Sequence, residues 1–163
     1  MPRQAKHEHT KNDVFVTPDV VAKHCLSKIP FELGDTVLDC CAGEVKRPFY
    51  ENLPITVKED WCEILCNRDF LQSTNEYDWI VGNIPFSMPK EFIFKMASLS
   101  KKGFGILCLS NSMTATRLQQ LHDLGFYLQH DASIYVREWG FGYKTCFYVF
   151  TKIPSSSFST VIV

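Results

Sequence analysis

The residues best suited to chemistry are Asn83, Ile84, Pro85 and Phe86, which follow the apolar run Trp79–Gly82. An amino group attached to an aromatic ring is a poor nucleophile, because its lone pair is delocalised into the ring. Two acceptors on its N–H groups, the Asn83 side-chain oxygen and the Ile84 carbonyl, would stabilise the positive charge that develops as the nitrogen attacks. Pro85 stiffens the turn that aims this carbonyl, and Phe86 offers a flat face to an unstacked base. The alternative is an ordinary strand end with a buried phenylalanine.

A second set of residues, Asp39-Cys40-Cys41-Ala42-Gly43, ends another apolar run. Gly43 permits a tight turn and a close approach of the main chain to a ligand. The N–H groups at the start of the next helix then favour a carboxylate. This set therefore suits a ligand site, although an ordinary strand-to-helix turn has the same composition.

Acidic residues follow the next predicted strand. Glu59 or Asp60 can accept hydrogen bonds from both ribose hydroxyls of a nucleoside ligand, and we favour Asp60. Asp69 can accept from the amino group of the ligand's adenine while Phe70 lies against its ring. A solvated acidic turn and a core phenylalanine are the simpler interpretations of these two sets.

The elements that position these residues alternate along the chain. Apolar runs predict buried strands, and amphipathic stretches predict helices, an alternation typical of a parallel sheet covered on both faces. The predicted strands are 36–41, 55–58, 79–83 and 105–110, followed by a terminal antiparallel hairpin of 133–138 and 145–152. The predicted helices are 18–28, with Thr17 as the N-cap, 89–99, and one from 112 or 114 to 124 that ends at Gly125.

The composition fits a single domain, since 163 residues with 45% hydrophobic content can bury a core. We expect tails at 1–12 and 154–163 around one catalytic domain at 13–153, with no separate target-recognition domain. The longest apolar runs are too short to cross a membrane, and the polar N-terminus does not resemble a signal peptide. We therefore expect a cytoplasmic protein with no membrane partner.

The seven cysteines are odd in number and several lie in apolar runs, so we expect reduced thiols. Their spacing predicts no metal site. The net charge of −1 does not favour a nucleic-acid partner. Local cations with interleaved aromatics, above all in Arg137–Lys144, still permit phosphate contact and base stacking, although aromatics packed on the core are the alternative.

Taken together, the chain resembles the N6-adenine DNA methyltransferases, amino-group methyltransferases that use S-adenosylmethionine. Their Asn-Pro-Pro-Tyr/Phe motif corresponds to Asn83-Ile84-Pro85-Phe86, and their Asp-x-x-x-Gly-x-Gly loop to Asp39–Val45. Their Thr-Pro segment before the first helix resembles Phe15-Val16-Thr17-Pro18, and their acidic-aromatic pair resembles Asp69-Phe70. The resemblance implies a Rossmann-like α/β domain with a mixed, mostly parallel sheet of seven strands. It also implies S-adenosylmethionine as cofactor and an adenine in DNA as methyl acceptor.

The same resemblance implies roles for individual residues. Asn83, Ile84, Pro85 and Phe86 would form the catalytic motif. The cofactor would be held by Phe15, Thr17, Asp39, Cys40, Gly43, Asp60, Asp69, Phe70 and Asn83.

Two departures from the family pattern leave alternatives open. Val45 replaces the last glycine of the cofactor loop, where its Cβ is expected to crowd the ligand, while Lys46 and Arg47 offer charges to the methionine carboxylate. Ile84 replaces a proline, as in ribosomal RNA adenine dimethyltransferases. The alternatives are therefore an RNA adenine methyltransferase, a protein glutamine methyltransferase, and a nucleic-acid-binding relative without activity. Target choice would come from the loops 87–90, 111–116 and 137–144.

Overall fold

A computed structural model describes residues 15–140 and 144–154 of the chain. The predicted tails at 1–12 and, apart from Pro154, at 154–163 lie outside this range. The strands are β1 (Thr36–Asp39), β2 (Lys58–Trp61), β3 (Tyr77–Asn83), β4 (Ser100–Leu109), β5 (Tyr127–Ile134) and β6 (Thr145–Thr151). The helices are α1 (Asp19–Leu26), α2 (Pro48–Glu51), α3 (Pro89–Leu99) and α4 (Ala115–Asp123).

The strands form one mixed sheet in the order β2-β1-β3-β4-β6-β5. Strands β1 to β4 run parallel to one another, whereas β6 runs antiparallel to both β4 and β5. This arrangement confirms a Rossmann-like fold that ends in an antiparallel hairpin.

The described residues contain six strands, so the prediction of seven was wrong. The chain between β2 and β3 forms only two 3-10 turns, Ile64–Cys66 and Phe70–Gln72. A crossover helix followed by another parallel strand needs a dozen or more residues, and the segment 62–76 is occupied by these turns instead. Strand β2 therefore lies at the edge of the sheet.

Two strands are displaced from their predicted positions. The second strand was expected at 55–58, but Ile55 is fully exposed, and β2 begins at Lys58, whose N–H donates to the Asp35 carbonyl. The first hairpin strand was expected at 133–138, but β5 ends with Ile134 opposite Thr145. The prediction from apolar content alone gave the wrong positions for both strands. The position of each strand is fixed by its pairing with the neighbouring strand.

Both faces of the sheet are covered, as predicted. On one face Leu38 and Ile80 pack with Phe92 and Met96 of α3. On the other face Val37, Trp79 and Val81 pack with residues of α1 and α2. The alternation follows from the period-two geometry of strands, and it holds the strand ends in place.

Helices α3 and α4 confirm the predicted periodicity. Thr114 caps α4 by accepting a hydrogen bond from the Arg117 N–H, and Gly125 ends it with a φ of +82°. Helix α1 differs, because its N-cap is Pro18 and no side chain caps it. The prediction of Thr17 as N-cap was wrong, and its hydroxyl lies near Asn83 instead.

All seven cysteines are free thiols. No helix among the described residues is long and apolar enough to cross a membrane. Within residues 15–140 and 144–154, no cluster of three or more His, Cys, Asp or Glu side chains is arranged to hold a metal ion.

Candidate active site

The candidate site lies at the carboxyl ends of β1 and β3. Strand β1 is flanked by β2 on one side and β3 on the other, so the strand order reverses between β1 and β3. Open α/β sheets bind ligands outside the carboxyl ends of strands at such a point. The last residues of these two strands are Asp39 and Asn83.

The turn after β1 is shaped by Gly43 and Asp39. Gly43 has a φ of +96°, and a Cβ there would lie 2.5 Å from the Lys46 carbonyl oxygen, so only glycine fits. Asp39 is fully buried, and its carboxylate accepts from the N–H groups of Cys41 at 3.3 Å and Tyr50 at 3.0 Å. Burial raises the pKa of Asp39 to about 7, although these two N–H groups lower it. The buried Asp39 carboxylate therefore stabilises the conformation of the turn.

Val45 does not crowd the turn. Its side chain is 85% exposed and points into solvent. Arg47 lies across the same loop, where its Nε donates to the Gly43 carbonyl at 3.3 Å and its guanidinium lies 3.7 Å from the centre of the Trp61 ring. Arg68 lies over the same ring at 4.2 Å. Two cations therefore border the glycine turn.

Cys40 contributes to the turn only through its main chain. Its side chain is buried in the core, and a Cβ on Gly82 of the neighbouring strand would lie 2.8 Å from the Cys40 sulfur. Strands β1 and β3 therefore pack closely at this point, which leaves the Cys40 side chain no access to a ligand at the edge of the sheet.

The carboxylate of Asp60, the predicted acceptor for the ribose hydroxyls, already makes hydrogen bonds within the protein. It lies within β2, where one carboxylate oxygen pairs with Arg68 and the other accepts from the Tyr77 hydroxyl, both at 2.7 Å. Burial alone would raise the pKa of Asp60, but the hydrogen bonds from Tyr77 and Arg68 lower it overall. The other candidate, Glu59, is an exposed residue of the edge strand.

Glu63, a residue that the sequence analysis missed, lies against the glycine turn. Its carboxylate accepts from the Gly43 N–H at 2.9 Å and from the Leu65 N–H at 3.2 Å. It follows the observed end of β2 at Trp61, so it occupies the position that the prediction gave to Asp60. The predicted strand lies three residues before the observed one, so Glu63 did not stand at a predicted strand end.

The pair Asp69-Phe70 is divided between a turn and the core. Asp69 caps a 3-10 turn by accepting from the Leu71 N–H at 2.9 Å. Phe70 is 2% exposed and packs on Phe92 at a ring distance of 5.6 Å. The Phe70 ring therefore belongs to the core of this structure.

The Asn83 amide is held in one orientation. Its nitrogen donates to the Phe15 carbonyl at 3.0 Å and lies 3.3 Å from the Thr17 hydroxyl. Because a carbonyl can only accept, the nitrogen must face Phe15, and the oxygen faces the other way. That oxygen is buried and has no hydrogen-bond partner among the residues that the structure describes. An unpaired buried polar atom is costly in a folded protein, and the described residues contain one other such side-chain atom, His130 Nε2 in β5.

The residues after Asn83 form a fixed turn. The Ile84 N–H donates to the Leu107 carbonyl at 3.2 Å, and the side chains of Ile84 and Pro85 are buried. The Phe86 ring is half-buried and stacks on Phe15 with 5.4 Å between ring centres. Accepting a base on that face of Phe86 requires the Phe15 ring to move aside.

The connection between β5 and β6 lies at the same edge of the sheet. Strand β5 ends, and β6 begins, beside the carboxyl end of β4. Tyr135, Arg137 and Lys144 are exposed there, and Trp139 is half-buried. The predicted aromatics Phe141 and Tyr143 lie outside the described residues.

The structure thus brings together Phe15, Thr17 and Asn83, and separately Asp39, Gly43 and Glu63. No protein-family model matches the sequence, and none of the curated proteins matches it.

Solved structures do match the fold. TrmN from Thermus thermophilus superposes with a TM-score of 0.62 at 18% identity, over 83% of this chain and 49% of TrmN. A Pyrococcus horikoshii protein proposed to be an RNA methyltransferase gives 0.60 at 15% identity, over 91% of this chain and 92% of that one. Magnesium protoporphyrin IX methyltransferase from Synechocystis PCC 6803, solved with bound S-adenosylmethionine, gives 0.51 at 12% identity, over 82% and 77%. The chain spans about half the length of TrmN. The fold is therefore that of the S-adenosylmethionine-dependent methyltransferases.

Proposed function

We propose that this chain transfers the methyl group of S-adenosylmethionine to the N6 amino group of adenine in DNA. The observation that carries the proposal is the Asn83 amide, whose nitrogen is held by the segment Phe15–Thr17 while its buried oxygen has no partner in the described part of the chain. The resemblance of residues 83–86 to the amino-group methyltransferase motif and the methyltransferase fold both support it.

The residues around the glycine turn fit the cofactor. Gly43 allows a tight turn in which a Cβ would lie 2.5 Å from the Lys46 carbonyl oxygen, and Asp39 holds the turn through two main-chain N–H groups. Glu63 is the best-placed acceptor for ribose hydroxyls, because it lies against Gly43 and each of its oxygens accepts one main-chain N–H, whereas the Asp60 carboxylate is paired with the Arg68 guanidinium and the Tyr77 hydroxyl. The bound cofactor would supply an electrophilic methyl carbon on a sulfonium. We keep Asp69 as a contact for the cofactor's adenine.

The chain's own residues act on the acceptor. The Asn83 oxygen and the Ile84 carbonyl accept from the two N–H groups of the adenine amine, which stabilises the charge that develops on nitrogen. The new N–C bond forms as the C–S bond breaks, and the sulfur keeps the bonding pair. The amine then releases one proton to water. Positioning and charge placement supply the catalysis, without a strong general base.

The base must reach the Asn83 oxygen. An adenine in a duplex must first be flipped out of the helix. It can then stack on Phe86 once Phe15 has moved. Exposed Tyr135, Arg137 and Lys144 at the same edge are suited to contact the neighbouring nucleotides and phosphates.

RNA is the second candidate substrate. Ile84 replaces the proline of the DNA enzymes, and a structural neighbour has been proposed to be an RNA methyltransferase. Only the main-chain carbonyl of Ile84 is used, so the motif serves either nucleic acid.

The test is transfer of a radiolabelled methyl group by the purified full chain to DNA, RNA or polypeptide, with nucleoside mass spectrometry of the product. We expect N6-methyladenine in DNA, with no transfer by Asn83→Ala and unchanged transfer by the control Asn75→Ala. Asn75 is exposed beside the amino end of β3, at the opposite edge of the sheet. Label in RNA or polypeptide alone would reassign the substrate. Activity retained by Asn83→Ala would refute the catalytic assignment.

A further inference from the structure

We propose that Trp139 is a positioning residue that sets the orientation of the Asn83 amide through the segment Phe15–Thr17. The inference rests on the proposed function, since it assigns Asn83 a role at the reacting amine. The inference is based on three hydrogen bonds that link the β5–β6 connection to the end of β3.

The first link is the indole of Trp139. Its Nε1 donates to the Val16 carbonyl at 3.0 Å, and its ring lies 6.0 Å from the Phe15 ring. The 3-10 turn Arg137–Trp139 presents this indole, anchored by Val136, which is 7% exposed. The turn ends at Gly140, whose φ of +61° suits glycine.

The other links lie on either side of Val16. The Phe15 carbonyl accepts from the Asn83 amide nitrogen, and the Thr17 hydroxyl lies within hydrogen-bond distance of the same nitrogen. Val16 is 57% exposed, and its carbonyl carries the hydrogen bond from the indole. Holding the Val16 carbonyl therefore fixes the two groups that orient Asn83.

The hydrogen bond to the Val16 carbonyl acts on a segment that leads into an uncapped helix, since α1, which begins at Asp19, has no side-chain cap. Through the hydrogen bond from Trp139 to the Val16 carbonyl, the β5–β6 connection, which carries Arg137 and Lys144, also influences the orientation of the Asn83 amide. A polyanion bound there would act on the same turn that holds the Val16 carbonyl.

The chain offers a matched control for the indole N–H. It has three tryptophans, and the Trp79 Nε1 donates to the Asp35 carboxylate at 2.9 Å, at the other end of the sheet. Trp139→Phe and Trp79→Phe each remove one donated hydrogen bond and keep an aromatic ring. Only the first breaks the chain that leads to Asn83.

The experiment combines steady-state kinetics with ¹⁵N NMR of the Asn83 side-chain NH₂ signals, assigned with Asn83→Ala. In Trp139→Phe we expect those signals to shift toward the values of exposed asparagines. We also expect kcat to fall about tenfold. Trp79→Phe should lower the melting temperature and leave the Asn83 signals and kcat unchanged.

The two measurements separate the inference from the function on which it rests. If the wild-type chain transfers no methyl group but the Asn83 signals respond to Trp139→Phe, the proposed function fails and the physical link stands. Asn83 signals that do not respond to Trp139→Phe would overturn the inference, as would an unchanged kcat in an active enzyme.

Discussion

The Glu63 carboxylate accepts a hydrogen bond from the Gly43 main-chain N–H at 2.9 Å, which places an acid beside the glycine turn. Glu63→Gln keeps the size of the side chain and removes its charge. A hydrogen bond to a charged group contributes about 1.5–3 kcal/mol, so we expect the affinity for S-adenosylmethionine to fall about tenfold or more. Isothermal titration calorimetry measures this directly.

Asp60→Asn is the matched control for Glu63. Both oxygens of Asp60 serve Arg68 and Tyr77, so this substitution should lower the melting temperature and change the cofactor affinity by less than about twofold. The reverse outcome, with weak binding by Asp60→Asn and normal binding by Glu63→Gln, would restore Asp60 as the ribose acceptor.

This difference shows what the sequence could and could not predict. Asn83 was found correctly at a strand end, because a polar residue that closes a long apolar run is visible in the sequence. Glu63 was missed because β2 is an edge strand with exposed residues, and its apolar pattern is too weak to fix its end. The register came from hydrogen bonds to β1, which composition does not reveal.

The contact of Thr17 with Asn83 was hidden for a related reason. Threonine before Pro18 matches a helix cap locally, but the structure uses its hydroxyl in a contact 66 residues away along the chain. The expectation of seven strands came from the family resemblance, whereas the short connection after β2 holds only 3-10 turns. The helices α3 and α4 were predicted well because their periodicity and their end signals are local.

Substitutions at the glycine turn should distinguish Val45 from Gly43. The Val45 side chain is 85% exposed, so Val45→Gly should change the cofactor affinity by less than about twofold. Gly43→Ala combines a left-handed φ with a Cβ 2.5 Å from the Lys46 carbonyl. The φ alone costs about 1–2 kcal/mol, and we expect cofactor binding to weaken at least about tenfold.

Gly34→Ala controls for backbone strain. Gly34 also has a positive φ, of +86°, but a Cβ there meets nothing within 4 Å. It should lower the melting temperature without changing the cofactor affinity measured by calorimetry. A strong gain in affinity for Val45→Gly would show that valine does obstruct the ligand.

Asp35 is expected to make the fold sensitive to acid. It is 4% exposed and pairs with Lys102, the Glu32 N–H and the Trp79 indole. Burial alone would raise its pKa, but these hydrogen bonds lower it below the ordinary value of 3.8. The stabilisation is therefore fully present above pH 3.8 and is lost as the pH falls through the lower folded value.

The measurement is the melting temperature of wild type and Asp35→Asn between pH 7 and pH 2.5. The variant should have a lower melting temperature than wild type at pH 7, by about 2–4 °C for each kcal/mol of unfolding free energy lost. Its melting temperature should fall less than that of wild type on acidification. Glu32→Gln removes the exposed carboxylate on the same lysine and should have a smaller effect. Parallel acid profiles for wild type and Asp35→Asn would contradict this assignment.

Asp39 is expected to have the opposite effect on the pH dependence of stability. Burial raises its pKa to about 7, despite the N–H groups of Cys41 and Tyr50, so the folded chain holds a proton there that the unfolded chain releases near pH 3.8. Between these two values the folded state binds more protons, and the free energy of unfolding must fall as the pH rises. Above about pH 7 this contribution stays constant.

Asp39→Asn removes the titrating group and keeps an acceptor for one of the two N–H groups. The variant should be less stable than wild type at pH 5, because its amide presents a donor to the other N–H. Its free energy of unfolding should nevertheless vary less between pH 5 and pH 7 than that of wild type, as measured by urea denaturation without cofactor. The same change of unfolding free energy with pH in wild type and variant would contradict this prediction. Asp39 would then be ionised in the folded protein, and another group would have to stabilise its buried charge.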